Sequence, residues 1–305
     1  MGKKRKLNNY RNCPTCEKEN RKTIFLTKNI DSEKITSFSF ASRKEPEFMR
    51  FQLMRCLECD LVYADEPPTE DNLHNSYHDA DYDSDIEAID AAKTYIHSIK
   101  NTLDVIPKKR KALDIGTGNG IFLEHLIEAG FEEVIGIEPS PAAIKKAKTG
   151  IKEKIKVGIF NESDFESNSF DLICCFMTME HVLDPKMISD AIFRLLKPGG
   201  AFVTITHNYR SIVNRLMGEK SPIIDIEHMQ IFSDKSIVNL MNKSNFENIT
   251  NKSIKNRYRI SYWIRLLPFN KQVKSILNKF IRILGLHKFR LKINVGNQIT
   301  SGFKL

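Results

Sequence analysis

The sequence predicts an α/β fold with a mostly parallel sheet, preceded by a small cysteine-bearing module. Between residues 110 and 250, short apolar runs alternate with segments in which apolar residues recur at helical spacing. The pairs Ser140-Pro141 and Asp184-Pro185 are typical of helix starts, and Gly130 is typical of a helix end. Such alternation indicates a sheet with helices on both faces and a ligand site at the carboxyl ends of its strands. The predicted strands are 112–115, 134–137, 155–157, 172–176, 201–206 and one near Ile249, and the predicted helices are 120–129, 141–149, 185–196 and 234–243.

A glycine-rich loop follows the first of these strands. Its glycines at 116, 118 and 120 have no Cβ, so the chain can turn sharply and a ligand can approach the backbone. Asp114 precedes the loop, and Glu138 ends the next strand, where a carboxylate can accept hydrogen bonds from a ribose. The spacing G-x-G-x-G differs from the G-x-G-x-x-G of dinucleotide sites, and an acid at the loop suits a cationic ligand. These residues therefore favour S-adenosylmethionine (SAM), which carries a sulfonium and an ammonium group, over NAD.

Further motifs follow the loop at Phe170–Phe176, Met179–Val182 and Leu195–Gly200. In this order, the motifs make most of residues 110–250 similar to the class I SAM-dependent methyltransferases. The resemblance implies a Rossmann-like, seven-stranded, mostly parallel sheet and SAM as the cofactor. Many members carry an acid near the adenine, where this chain has Gly158-Ile159-Phe160. The cofactor-binding residues expected from the loop and the resemblance are Asp114, Gly116, Thr117, Gly118, Gly120, Glu138, Pro139, Phe160, Phe176 and Met177.

Two C-x2-C pairs, Cys13/Cys16 and Cys56/Cys59, lie in the first 65 residues. Two pairs at this spacing are typical of a closed four-cysteine zinc site, which stabilises a fold and leaves no open position for catalysis. Disulfides are the alternative, but no secretory signal accompanies the pairs. We expect a zinc ribbon over residues 1–65, with strands at Thr36–Ser42 and Phe48–Leu53. Cys174 and Cys175 lie within an apolar strand, and we expect them to pack as small hydrophobic residues.

Charge is distributed unevenly along the 305 residues, whose formal net charge is +9. From Asn251 to Leu305 there are thirteen Lys or Arg and no Asp or Glu. This composition favours an anionic partner, either a phosphate-bearing acceptor, an acidic lipid surface or nucleic acid, although a solvated face would also explain it. The basic run Met1–Lys6 has no apolar segment behind it, so we expect a solvated tail and a cytoplasmic protein without a membrane span.

One segment precedes the SAM-binding domain, which we assign to residues 109–305, and a second is inserted within it. Residues 66–108 are predicted to be a helical linker, with a helix over 86–103, and Tyr77 and Tyr82 resemble the family's aromatic lid over the cofactor. A packed linker is the alternative. A basic insertion at about 256–290 is predicted to cover the cofactor mouth. Its amphipathic helix, 271–286, is expected to pack its apolar stripe on its own domain, with peripheral membrane contact as the alternative.

Methyl transfer to a hydroxyl or an acidic carbon requires a base, and histidine is the usual one near neutral pH. His181, His207 and His228 fall in segments expected near the mouth of the site. We predict His181, Glu180 and His228 as catalytic residues, because His181 with Glu180 resembles the family's Glu-His pair. Helix capping and backbone positioning are the alternative for that pair. A catalytic metal is not expected, since the extra Glu of metal-binding relatives is replaced by Met177.

The acceptor is indicated more weakly. No Asn- or Asp-Pro-Pro-Tyr/Phe motif and no Pro-Cys pair follows the fourth strand, which argues against transfer to an exocyclic amine or to cytosine C5. The cysteine module, Glu227-His228 and Tyr262-Trp263 resemble bacterial zinc-bearing methyltransferases of sugar and surface-polysaccharide biosynthesis. That resemblance implies a hydroxyl, or a carbon, of a sugar, nucleotide-sugar or glycan. An RNA methyltransferase and a non-catalytic SAM- or zinc-binding interaction protein remain as alternatives.

Overall fold

The computed structural model describes residues 11–17 and 22–305, so the basic run Met1–Lys6 lies outside the described part. The described strands are β1 Lys22–Leu26, β2 Leu53–Cys56, β3 Val62–Ala64, β4 Lys111–Ile115, β5 Glu133–Glu138, β6 Ile155–Val157, β7 Phe170–Phe176, β8 Leu196–His207, β9 Gln230–Ile231, β10 Glu247–Arg259 and β11 Arg290–Phe303. The described α-helices are α1 Glu70–His78, α2 Asp85–Ser98, α3 Lys100–Val105, α4 Ile121–Glu128, α5 Pro141–Ile144, α6 Pro185–Leu195, α7 Ile212–Met217, α8 Asp234–Lys243, α9 Ile260–Leu266 and α10 Lys271–Ile283.

Seven strands form the central sheet, in the order β10-β11-β8-β7-β4-β5-β6. Neighbours pair in parallel, except that β11 runs antiparallel to both β8 and β10. Every residue of β7 is buried, as expected of a strand covered by helices on both faces. The α/β, Rossmann-like, mostly parallel fold predicted from the alternation is confirmed.

Helix starts in this domain follow the predicted capping chemistry. The side chain of Ser140 accepts a hydrogen bond from the Ala143 N–H, and that of Asp184 accepts one from the Met187 N–H. Two predicted helices differ from the observed ones. The helix predicted over 141–149 ends at Ile144, and turns lead to Gly150, whose φ is +82°. The helix predicted over 86–103 divides into α2 and α3, because the backbone at Ile99 leaves the helical region (φ −90°, ψ 1°).

The N-terminal module forms a second sheet of four strands, in the order β1-β2-β3-β9. The ribbon strands predicted at 36–42 and 48–53 were wrong. Residues 36–41 make turns closed by hydrogen bonds from Ser39 N–H to Thr36 O and from Ala41 N–H to Phe38 O. Phe48 has a positive φ of 58°, which interrupts an extended strand there, and β2 begins only at Leu53.

The module is joined to the methyltransferase-like domain by backbone pairing and by a shared core. Val62 of β3 pairs with Ile231 of β9, and β9 comes from the larger domain. The guanidinium of Arg11 donates to the carbonyl oxygens of Ala64, Leu183 and Met229, at 2.7, 2.9 and 3.1 Å. The cysteines lie in the same hydrophobic cluster as core residues of the large sheet. The module therefore packs as part of the wall of the larger domain.

Helices α9 and α10 form the insertion between β10 and β11. The expectation that the apolar stripe of α10 packs on its own domain was wrong for most of its length. Ile276, Phe280 and Ile283 are 65%, 58% and 83% exposed.

Within the described residues, none of the helices combines the length and apolar character needed to cross a bilayer.

Candidate active site

A cavity of about 550 Å³ opens at the carboxyl ends of β4, β5, β7 and β8. Its walls come from distant parts of the chain: the N-terminal module, α1 and α2, the glycine loop, the segments after β7 and β8, and the insertion. A cavity at this edge is where an open parallel sheet binds ligands. Its two ends have different chemistry, and they are treated in turn.

The glycine loop and Glu138 form one end of the cavity. The Gly118 N–H donates to Glu138 Oε2 at 2.8 Å, and the Ser140 N–H donates to Glu138 Oε1 at 2.9 Å. These bonds fix the carboxylate across the loop. Gly118 has a φ of +60° and open space where a Cβ would lie, so a ligand can approach its backbone. At Gly116, with φ +77°, a Cβ would lie 2.2 Å from Thr178 Oγ1, so a larger residue does not fit.

Asp114 lies at the mouth of the loop and is only 3% exposed. Burial raises the pKa of its carboxyl to about 7. Among the described residues it has no ion-pair partner, so this end of the cavity holds a buried acid without a protein cation. A ligand carrying an ammonium or sulfonium group would supply the missing positive charge, and the residues present therefore fit SAM.

The other residues predicted to bind the cofactor lie around this end, and all except Gly120 line the cavity. Gly120 instead turns the loop into α4 with a φ of +70°. Phe176 packs edge-on against Phe122, with ring centroids 4.8 Å apart, and Met177 adopts a positive φ of 53° as the chain leaves β7. The predicted cofactor-binding residues other than Gly120 therefore line one end of the same cavity.

His181 is at the centre of the opposite end. Its Nδ1 lies 2.9 Å from the hydroxyl of Tyr77 and 3.0 Å from the carbonyl oxygen of Glu227. The Tyr77 hydroxyl donates to the same carbonyl at 2.9 Å. Because the carbonyl can only accept, this arrangement assigns the proton of the neutral ring to Nδ1 and leaves Nε2 able to accept one. Burial lowers the pKa of His181 to about 4, so the ring is neutral at pH 7.

The three histidines expected near the mouth are brought together. The rings of His181 and His228 are 4.9 Å apart between centroids, and those of His207 and His228 are 5.4 Å apart. His228 Nδ1 lies 2.9 Å from the Ile223 carbonyl oxygen, and His207 Nδ1 lies 3.0 Å from Asn297 Oδ1. Burial lowers the pKa of His207 to about 4 and lowers the pKa of His228 well below its usual range. All three therefore line the cavity as neutral rings.

The two acids next to these histidines have different positions. Glu180 is fully buried behind the cavity wall, where its Oε1 accepts from the His207 N–H at 2.6 Å. Burial raises its pKa to about 8. Glu227 lines the cavity itself, and burial raises its pKa to about 8 as well. Glu180 therefore lies where it can hold the backbone after β8 in place. Glu227 lies where it can contact a ligand.

Two cations of the N-terminal module line the cavity and were not predicted. Arg43 and Lys44 line the cavity, and the ammonium of Lys44 pairs with Glu47 and with Asp225, at 3.2 Å from the latter. Arg43 has a positive φ of 56°, and no ion-pair partner of its guanidinium lies within the described ranges. Little in the sequence indicated these two residues. A single Arg-Lys pair within the predicted zinc ribbon resembles an ordinary surface turn.

Aromatic residues complete the wall. Tyr258 of β10 packs against Tyr262 and Trp263 of the insertion, and the three ring centroids are 4.7 to 6.0 Å apart. These rings line the cavity together with Tyr77 and Tyr82. Asn256 is buried beside them, and its Oδ1 has no hydrogen-bond partner in the described structure. A buried unpaired oxygen in a cavity wall is suited to a ligand that donates hydrogen bonds.

The four N-terminal cysteines form a separate group outside the cavity. All are buried, and their sulfur atoms lie within 4.8 Å of one another. Cys13 Sγ and Cys59 Sγ are 3.4 Å apart, and Cys16 Sγ and Cys56 Sγ are 3.5 Å apart. Tetrahedral ligands at ~2.3 Å from zinc would be about 3.8 Å apart, so the group fits one zinc ion after a small adjustment.

Comparison with known proteins gives the same picture of the fold. The family model described as "Methyltransferase domain" matches residues 88–251. A ubiquinone biosynthesis O-methyltransferase of Idiomarina loihiensis is 32% identical over 126 residues, which are 39% of this chain and 49% of the relative. The protein of the same name from Yersinia pestis is 32% identical over 117 residues, covering 36% and 48% of the two chains. The chain spans about half the length of the curated relatives it matches.

Solved structures are more distant. A SAM-dependent methyltransferase from Archaeoglobus fulgidus superimposes with a TM-score of 0.48 at 15% identity, covering 70% of this chain and 94% of that one. A phosphoethanolamine N-methyltransferase from Haemonchus contortus gives 0.49 at 15% identity, covering 80% and 61%.

Proposed function

The chain belongs to the family of class I SAM-dependent methyltransferase domains, and we propose that it transfers a methyl group from SAM to a hydroxyl of an anionic, sugar-type acceptor. One observation supports this most directly. A single cavity joins a buried-acid end suited to SAM with an end that holds neutral histidines, and its wall also carries an unpaired amide oxygen and two cations.

At the cofactor end, Glu138 is the group that would accept the ribose hydroxyls, because its two oxygens are already aimed across the loop by backbone N–H groups. Asp114 would face the cationic part of the ligand, and Phe160 and Phe176 would enclose its apolar parts. When bound, SAM supplies an electrophilic methyl group on a sulfonium that departs as a neutral thioether. The protein's contribution is alignment of the two reactants and exclusion of water.

At the acceptor end, His181 is the proposed base. Tyr77 and the Glu227 carbonyl hold its Nδ1 side, so Nε2 accepts the hydroxyl proton as the oxygen lone pair forms the new C–O bond. His228 and His207 keep the surroundings uncharged, since burial lowers the pKa of each. Glu180 is proposed as a positioning residue that acts through the backbone of His207.

A hydroxyl-rich acceptor with a negative group accounts for the remaining residues. Asn256 Oδ1 and Glu227 offer acceptors for several hydroxyls, and Trp263 and Tyr258 offer flat faces for a sugar ring. Arg43 and Lys44 would bind a phosphate or diphosphate. A second candidate is a ring hydroxyl of an aromatic acceptor. The aromatic wall favours it, and so do the names of the relatives, which are O-methyltransferases of ubiquinone biosynthesis.

We further propose that the four cysteines hold a structural zinc ion. With four thiolates around it the ion would have no open position, so its role would be to fix the module that carries Arg43 and Lys44. Stoichiometric zinc in metal analysis of the purified protein is the expected result, and its absence would refute this proposal.

The function is tested with methyl-labelled SAM and a cell extract depleted of small molecules, with and without added nucleotide sugars. We expect label in the nucleotide-sugar or glycan fraction, and at least about 100-fold slower labelling with the His181→Asn variant. Label in an aromatic lipid fraction would favour the second candidate. Label in RNA, or SAM binding without transfer in extracts replete with small molecules, would contradict a sugar acceptor.

A further inference from the structure

Helix α10 presents an apolar face to solvent. Ile276, Phe280 and Ile283 are spaced by four and three residues, so they lie on one side of the helix, and each is more than half exposed. Phe269, Leu284 and Phe289 are also exposed around its two ends. We call α10 with these three residues the apolar patch. A group of large exposed apolar side chains on one element indicates an interaction surface.

The helix cannot turn this face inward, because its other side is anchored. The ammonium of Lys274 is buried, and it donates to Glu45 Oε1 at 2.5 Å and to the Arg265 carbonyl oxygen at 2.7 Å. Leu277 and Ile281 are partly covered on that same side. The exposed face is therefore a feature of the docked helix.

The charge around the patch indicates what covers it. The chain from Asn251 to Leu305 has thirteen Lys or Arg and no acidic residue. Lys279 and Arg282 are exposed on α10 itself. A second copy of the chain would bring the same positive charge to the interface, which opposes self-association. RNA would use the cations but would gain little from three aliphatic or aromatic side chains on the outer face of a helix.

We propose that the apolar patch binds an anionic phospholipid surface. Ile276, Phe280 and Ile283 enter the boundary between headgroups and acyl chains, and the lysines and arginines of the insertion contact the lipid phosphates. The patch is continuous in sequence with α9, whose Tyr262, Trp263 and Leu266 line the cavity. Docking would therefore hold the acceptor end of the cavity next to the membrane. This inference does not depend on the identity of the acceptor.

The test is co-sedimentation of the full chain with vesicles of phosphatidylcholine alone or mixed with phosphatidylglycerol. We expect binding to the mixed vesicles, weak binding to the neutral ones, and a decrease as salt is raised. The triple variant Ile276→Gln, Phe280→Gln and Ile283→Gln should reduce binding roughly ten-fold or more, and so should Lys279→Glu with Arg282→Glu. SAM affinity of each variant reports whether it is folded, independently of transfer.

Matched controls are Ile24→Gln and Leu57→Gln, which replace exposed apolar residues on the N-terminal module and should leave vesicle binding unchanged. Absence of binding to the mixed vesicles at low salt would overturn the proposal. Equal binding by the triple variant would also overturn it, as would an oligomer in size-exclusion chromatography that only the triple variant dissociates.

Discussion

The two ends of the cavity are built in different ways. The polar part of the cofactor end, the glycine loop with Asp114 and Glu138, comes from one short stretch of chain whose strands are adjacent and parallel. The acceptor end combines Tyr77, His181, His207 and His228, which come from four separate segments. The first is held by the sheet itself, and the second depends on how the module, α1 and the insertion pack around it. Binding of SAM and choice of acceptor should therefore respond differently to substitution.

The largest expected difference between the two ends follows from removing two of the sulfurs that we propose to bind zinc. Cys56→Ser with Cys59→Ser should abolish methyl transfer, because the loop carrying Arg43 and Lys44 loses its anchor, yet weaken SAM binding less than about ten-fold. Labelled transfer, metal content and titration of SAM measure the three effects. Leu57→Ser, an exposed position between the two cysteines, is the control and should change none of them. Unaltered transfer in the double variant would show that the acceptor end does not need the cysteine site.

Next in size is the effect of His181→Asn, for which we expect kcat to fall by about 10²- to 10⁴-fold with SAM affinity unchanged. His125→Asn, on the outer side of α4 beside Glu128, should have no effect. Because burial lowers the pKa of His181 to about 4, the wild-type kcat at saturating SAM should be flat through neutral pH and fall only as pH drops towards that value. A rate that instead rises through about pH 8 would assign the base to Glu227, whose pKa burial raises to about 8.

At the cofactor end, Glu138→Ala should weaken SAM binding roughly 100-fold. It removes the acceptor for the ribose and leaves two backbone N–H donors without their partner. Glu133→Ala on the same strand removes only a surface ion pair with Lys111 and should bind SAM normally. Calorimetric titration measures both. If Glu138→Ala changed the KM for the acceptor and not the affinity for SAM, the assignment of the two ends would be wrong.

The smallest effect is expected at Arg43. Arg43→Gln should raise the KM for an anionic acceptor about ten-fold and leave SAM affinity unchanged, because it removes one charged hydrogen-bonding group. Arg257→Gln, an exposed position on β10 outside the cavity, is the matched control. A loss of SAM affinity in Arg43→Gln would show that this residue contributes to binding of the cofactor.

The difference between the two ends also explains what the sequence could predict. Asp114, the glycine loop and Glu138 could be placed at one site because strand, turn and strand are consecutive in the chain. That they bind the cofactor stays a prediction. His181 and His207 were expected near the mouth because they follow predicted strands. His228 was expected there as well, and the structure brings all three together. Their catalytic roles stay a prediction.

Arg43 was missed because residues 27–52 contain no α-helix or β-strand, so no periodic pattern could locate its side chain.

The exposure of α10 was missed for a different reason. An apolar stripe in a sequence shows that a helix is amphipathic, but the burial of that stripe depends on which of its sides meets the protein, and here the contact at Lys274 decides it.

The pairing of β3 with β9 has a consequence for the synthesis of the chain. Val62 emerges from the ribosome long before Ile231, its partner in the four-stranded sheet. The cysteines can gather around an ion as soon as Cys59 has emerged, while one edge of the module's sheet stays without its neighbour until most of the larger domain has been translated. An ion bound early would keep the module with its unpaired edge strand ordered until β9 has been translated. Zinc supply would then influence the yield of native protein per round of translation.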